Sequence, residues 1–158
     1  MEKISKIVIS GVPTLKKDAK IGEAAKLIIQ KNKGCVVIID NEKPIGIVTE
    51  FDFVKNAVSG KKLKEPISNI MSTSLVTMSP ETGLDEALKI IDTKSFRVYP
   101  VVQNGRLEGI VTKKDIVHAF SDNLKFHRNI QNFVLIIFVL FELFIFVFSK
   151  YFSFGAKW

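Results

Sequence analysis

GIVTEFDF (residues 46–53) and GIVTKKDI (residues 109–116) are one phrase written twice. Gly, Ile, Val, Thr and Asp keep their places at a spacing of 63 residues, and the other positions change. In both, a β-branched apolar run stops at a Thr, and an acid follows three residues later. That order reads as a strand running directly into a helix.

Working outward, the register holds without a gap. Ile4, Ser5 and Ile7 fall on Ile67, Ser68 and Ile70, and Thr14 falls on Thr77. Glu23, Ala24 and Lys26 fall on Glu86, Ala87 and Lys89, and Asn41 falls on Asn104. Residues 4–60 and 67–124 are therefore two copies of one unit. In the first copy Ile21, Ala24, Ala25, Ile28 and Ile29 follow the spacing of one helix face. Leu84, Ala87, Leu88 and Ile91 repeat it, with Ser79-Pro80-Glu81 as a helix entry. CVVIID (35–40) and VYPVV (98–102) read as buried strands, each followed by a turn and a second strand. Asn104-Gly105 between apolar runs is a hairpin signal. EFDFVKNAV and KKDIVHAF read as short helices. The expected fold class is α/β (α+β): two units, each strand-helix-strand-strand-helix. One unit alone is close to the lower size limit for a stable core, so the two should pack together.

The Thr-x-x-Asp pair admits two readings. In one it is a capping box, the Thr hydroxyl and the acid satisfying free N–H groups at the helix start. In the other it is half of a nucleotide pocket. A helix N-terminus and a Thr hydroxyl suit a phosphate, and a carboxylate suits a ribose diol. The sequence alone leaves both open.

The chain resembles a tandem pair of CBS domains, a Bateman module, followed by a C-terminal hydrophobic segment. The resemblance covers about residues 4–124 and rests on ISNIMS, GCVVIID, YPVV, GIVTEFD and GIVTKKD in that setting. It implies two units packed about a pseudo-twofold axis, with two clefts able to take AMP, ADP, ATP or S-adenosylmethionine and no obligatory cofactor. It implies Thr49 and Asp52 in one cleft and Thr112 and Asp115 in the other, with backbone near Thr14 and Thr77 lining them. It also implies a homodimer that regulates an enzyme, channel or transporter; the alternative is a ligand-free scaffold of a membrane complex. Lys114 and Arg97 in the second copy could reach phosphate. The matching first-copy positions are Phe51 and Gly34, beside Glu50. Members of the family often carry a basic residue where Phe51 stands, so the first site departs from the family's phosphate-binding pattern. Phe51 could face an adenine or fill the core.

The net charge of +7 is scattered, with short clusters at Lys61-Lys62, Lys113-Lys114 and Lys125 to Arg128. No long basic run argues for nucleic acid. The single cysteine, Cys35, sits in an apolar run and reads as a small buried hydrophobe. With His118 and His127 it has no metal-ligand spacing, and no nucleophile-base pair or phosphate loop indicates an enzyme. With one cysteine and an N-terminus without a long apolar core or cleavage signal, the globular part is expected to stay in a reducing, intracellular space.

The tail is a different material. Residues 133–148 hold one polar residue, Glu142, in sixteen positions. As a helix they span about 24 Å, and about 33 Å from Ile130 to Tyr151, against ~30 Å of hydrocarbon. Lys125, His127 and Arg128 precede the span; Lys150, Tyr151, Lys157 and Trp158 follow it, as an interface favours. The absence of a polar face argues for a membrane anchor over a buried helix in an oligomer. Glu142 would be neutral, or paired with a partner protein or another copy. The expected organisation is 1–62 and 63–124 as the two units, 125–132 as a basic/polar linker, 133–152 as a transmembrane helix contacting lipid, and 153–158 as a short tail. The paired units would then lie on the cytoplasmic side of a membrane.

Overall fold

The computed structural model describes the backbone of residues 2–60, 62–94 and 96–155, and the side chains through Ser149. Met1, Lys61, Ser95, Ala156, Lys157 and Trp158, and the side chains of Lys150 and Tyr151, lie outside the described residues. The chain divides into two units, Met1–His118 and Ala119–Trp158.

In the first copy, β1 (Thr14–Lys16), α1 (Ile21–Lys31), β2 (Cys35–Asp40), β3 (Lys43–Thr49) and α2 (Glu50–Ser59) follow in the expected order. β2 is central, parallel to β1 and antiparallel to β3. The second copy has α3 (Leu84–Thr93), β4 (Val98–Gln103), β5 (Arg106–Thr112) and α4 (Lys113–Gly155). Its counterpart of β1 shrinks to one parallel bridge, Met78 to Val101. Both hairpins carry the same irregularity, between Ile38 and Ile39 and between Val101 and Val102. Both turn on two residues of positive φ, Asn41-Glu42 and Asn104-Gly105, which match the twist of the strands. Ser79-Pro80-Glu81 forms a turn rather than a helix entry, and α3 starts at Leu84.

The apolar periodicity explains the layers. Ile21, Ala24 and Ile28 of α1 pack on Val36, Ile38 and Val48. Ile29 is the exception: it lies at the edge of the face and is 80% exposed. The opposite face of the first sheet, Cys35, Val37 and Ile47, packs on Ile110 of the second copy. Strand β2 is thus covered on both sides, which is why CVVI is a continuous apolar run rather than an alternating one.

The copies also exchange their lead-in segments. Ile9 N donates to Ile110 O at 2.8 Å, and Ile110 N returns a bond to Ile9 O at 3.1 Å. The equivalent pair is Ile47 and Ser72, at 3.0 and 2.9 Å. Glu2 O accepts from Leu84 N and Glu65 O from Ile21 N, both at 2.9 Å, so each lead-in also satisfies the start of the other copy's helix. All of these pairs are related by the 63-residue shift, which makes them the backbone expression of a pseudo-twofold arrangement. The exchange explains the glycine of the repeated phrase. A Cβ on Gly109 would lie 2.5 Å from Ile9 O, and one on Gly46 would lie 2.8 Å from Met71 Sδ.

Buried where the copies meet, the Cys35 thiol is pushed from its ordinary 9.0 up to about 11, first by loss of solvent and then by the Glu50 charge. Folding favours the protonated thiol, so its contribution to stability is whole below pH 9 and declines as pH rises towards about 11. We expect Cys35 in the folded chain to resist a thiol-specific reagent at pH 8 and to react on unfolding. Labelling at the rate of a free thiol would contradict this packing.

α2 ends at Gly60, which adopts the left-handed conformation. The second copy has Asn123 at that position, and no Gly or Pro occurs between Lys113 and Phe154. Where short helix and linker were expected, α4 therefore continues without a break, and residues 125–132 are helical. In the second unit the apolar side chains from Phe133 to Phe148 are exposed. By length and composition this helix is able to cross a membrane.

Candidate ligand-binding site

Both Thr-Asp pairs sit at strand-to-helix junctions, Thr49 ending β3 and Thr112 ending β5. Thr49 N and Oγ1 each donate to Asp52 Oδ2 at 2.7 Å. Thr112 N and Oγ1 donate to Asp115 Oδ2 at 3.2 and 2.5 Å, and Asp115 N donates to Thr112 Oγ1 at 3.2 Å. Each acid is thus a cap, as one of the two readings requires. Capping uses only Oδ2, so the second carboxylate oxygen retains its capacity to accept from a ligand.

The surroundings of the two pairs differ. A cleft of about 540 Å³ brings Lys33 and Gly34 of the first copy to Arg97, Thr112, Lys114 and His118 of the second. Lys113 also lines it, making four cationic side chains, and no carboxylate is among its lining residues. The 63-residue shift isolates the cause: Arg97, Lys113 and Lys114 replace Gly34, Glu50 and Phe51. The hydrogen bond at the junction is kept in both copies, although Gly34 has positive φ and Arg97 does not. Lys113 N donates to Arg97 O at 3.0 Å, as Glu50 N does to Gly34 O at 3.2 Å. Phe51 does not fill the core. It is 59% exposed, and the Arg97 guanidinium lies over its ring at 5.7 Å from the centroid. α2 takes Phe51 out of the core because Asn56, not Phe51, is on its buried side.

A second cavity, of about 340 Å³, lies between α2 and the segment after the turn Ile67–Asn69. Asp52, Lys55, Asn56 and Ser59 line it from α2, with Asn69, Ile70 and Met71 opposite. It has one acid and one base. The structure therefore gathers Arg97, Thr112 and Lys114 in one cleft and puts Asp52 in the other. Asp115 caps the helix beside the first. Thr14 and Thr77 are exposed and line neither of these two cavities. Sequence reasoning missed Lys33, Asn56 and Asn69. Under the shift their counterparts are Phe96, Ala119 and Lys6, so all three differ between the copies. No cluster of three or more His, Cys, Asp or Glu able to hold a metal ion occurs among the described residues.

A duplicated α/β module, with a capped strand-to-helix junction in each half and a cleft near each, is the class that this fold and site define. The chain belongs to the CBS-domain family: residues 4–59 and 67–122 each match the CBS domain. It is 34% identical over 122 residues to a 17.7 kDa protein of Acidianus ambivalens, covering 76% of this chain and 74% of that one. It is also 31% identical over 135 residues to protein MJ1404 of Methanocaldococcus jannaschii, but spans only 32% of that longer chain. Among solved structures, the CBS domain pair of protein MJ0100 in complex with 5′-methylthioadenosine and S-adenosyl-L-methionine matches with a TM-score of 0.69 at 27% identity. That match covers 78% of this chain and 98% of the other.

Proposed function

We propose that this protein is a membrane-anchored regulatory module whose cationic cleft senses a phosphorylated adenine nucleotide. The observation that carries this reading is the cationic lining of that cleft, Lys33, Arg97, Lys113 and Lys114, beside Thr112 and the start of α4. Such a site favours a ligand with several negative charges, AMP, ADP or ATP, over the sulfonium cation of S-adenosylmethionine. The adenosine-containing ligands of the MJ0100 pair support the ligand class. Occupancy would draw the copies together and alter the surface offered to a partner enzyme, channel or transporter. Phe51, Val54 and Val58 form an exposed apolar stripe along α2, suited to a homodimer contact. The apolar part of α4 would contact lipid, with Lys125, His127 and Arg128 holding the paired domains on the cytoplasmic side.

The test is thermal unfolding of the full chain in detergent with AMP, ADP, ATP, S-adenosylmethionine and guanine nucleotides. A ligand at a hundred times its dissociation constant adds about 2.7 kcal/mol, a shift of several degrees. The expected result is a shift with an adenine nucleotide that Asp115→Ala removes. No shift with any of them would favour a ligand-free scaffold. Full chain that leaves the membrane fraction in high salt would overturn the anchor.

A further inference from the structure

Asn56 is buried, 6% exposed, yet its Oδ1 has no hydrogen-bond partner. A buried acceptor without a donor costs free energy, so native structures keep few of them. It stands one helical turn after Asp52, and the two line the same cavity. Its counterpart in the second copy is Ala119, so the repeat does not demand it.

From this we propose that the cavity lined by Asp52 and Asn56 takes an uncharged adenine nucleoside, and that the Asn56 carboxamide reads its base. The inference rests on the nucleotide-class reading given above and extends it to the other cleft. The charge of the cavity sets the class. Asp52 and Lys55 balance one another, and no further charged side chain is among its lining residues, so the excess of cations that suits phosphate in the other cleft is absent here. The carboxamide sets the base. A side-chain amide offers a donor and an acceptor side by side, and adenine presents the complementary N6 donor and N7 acceptor. Rotation about χ2, a broad torsion in Asn, brings either end of the amide to the cavity. Asp52 can accept from the ribose hydroxyls through the oxygen that capping leaves over, and Ile70 and Met71 supply an apolar wall. Hypoxanthine has a carbonyl where adenine has its amine. It would face Asn56 with two acceptors, and the site would reject it.

The experiment is calorimetric titration of the full chain in detergent with adenosine and with inosine, each in the presence of saturating ADP. Adenosine is expected to bind and inosine to bind at least about tenfold more weakly. In Asn56→Ala the adenosine affinity should fall about tenfold or more and the preference over inosine should vanish, with ADP binding unchanged. The variant removes an unpaired buried acceptor, so its melting temperature without ligand should equal or exceed that of the parent chain, which separates lost recognition from lost folding. Asp52→Asn should weaken adenosine and inosine together and keep the preference. Adenosine binding that keeps its preference in Asn56→Ala overturns the inference, as does adenosine that only competes with ADP. ADP binding without adenosine binding defeats this inference and leaves the nucleotide reading standing; failure of both ligands defeats both.

Discussion

Replacing Gly109 by Ala is expected to destabilise the chain by about 3 kcal/mol, the upper end of the cost of overpacking. The added Cβ would meet the backbone oxygen of Ile9 at 2.5 Å and Val8 Cγ1 at 2.7 Å. Backbone cannot step aside as a rotamer can. The lead-in would have to lift from β5, breaking the two Ile9–Ile110 bonds. Gly46→Ala is the control. Its nearest neighbour is the flexible thioether of Met71 at 2.8 Å, with Ser72 O farther off at 3.4 Å, so about 1 kcal/mol is expected. Neither glycine has positive φ, so the difference measures contact and not backbone conformation. Thermal melting of the full chain should separate the two variants by several degrees. Equal melting of Gly109→Ala and the parent would mean that Ile9 is not laid across β5.

Removing both Arg97 and Lys114 as alanines should weaken ADP binding roughly a hundredfold. A hydrogen bond to a charged group contributes about 1.5–3 kcal/mol, and each 1.4 kcal/mol is a factor of about ten. Stability should change little, because the contact that Arg97 makes within the fold is with the exposed ring of Phe51. Titration at two salt concentrations adds a second reading. The parent should lose affinity as salt rises, and the double variant should lose much less. Unaltered ADP affinity would show that phosphate is held elsewhere than by these cations.

The internal repeat makes most of the fold legible in the amino-acid sequence. Side chains recur at 63 residues wherever they serve the same local purpose: Ala24 and Ala87 under a sheet, Thr49 and Thr112 at a helix start. The exchange of lead-ins is hidden because it is made by backbone groups, which every residue carries. Its one imprint is the Gly before Ile-Val-Thr, whose meaning depends on a segment of the other copy. The run-on of α4 is legible in principle from the lack of Gly and Pro between Lys113 and Phe154, but the basic and polar stretch at 125–132 resembles a linker by composition. At the site, the charge differences at Arg97 and Lys114 stand out when the halves are aligned. Lys33, opposite Phe96, and Asn56, opposite Ala119, also differ between the halves, but each reads as an ordinary polar residue until the fold sets Lys33 beside the other copy's Arg97 and buries Asn56. Phe51 misleads because an aromatic residue on a short helix suggests the core, and here the helix turns that position outward.

The exchanged lead-ins give the molecule the anatomy of a dimer whose subunits traded arms before being spliced into one chain. Two separate copies would have to find each other, and their pairing would weaken on dilution. Joined by the stretch between α2 and the next lead-in, each arm meets its groove at an effective concentration on the order of millimolar. The union of the halves is then insensitive to how much protein the cell makes. The same splice frees the halves from identity. An obligate pair of identical chains must carry every substitution twice, whereas this chain carries arginine and lysines in one half, and a buried asparagine in the other.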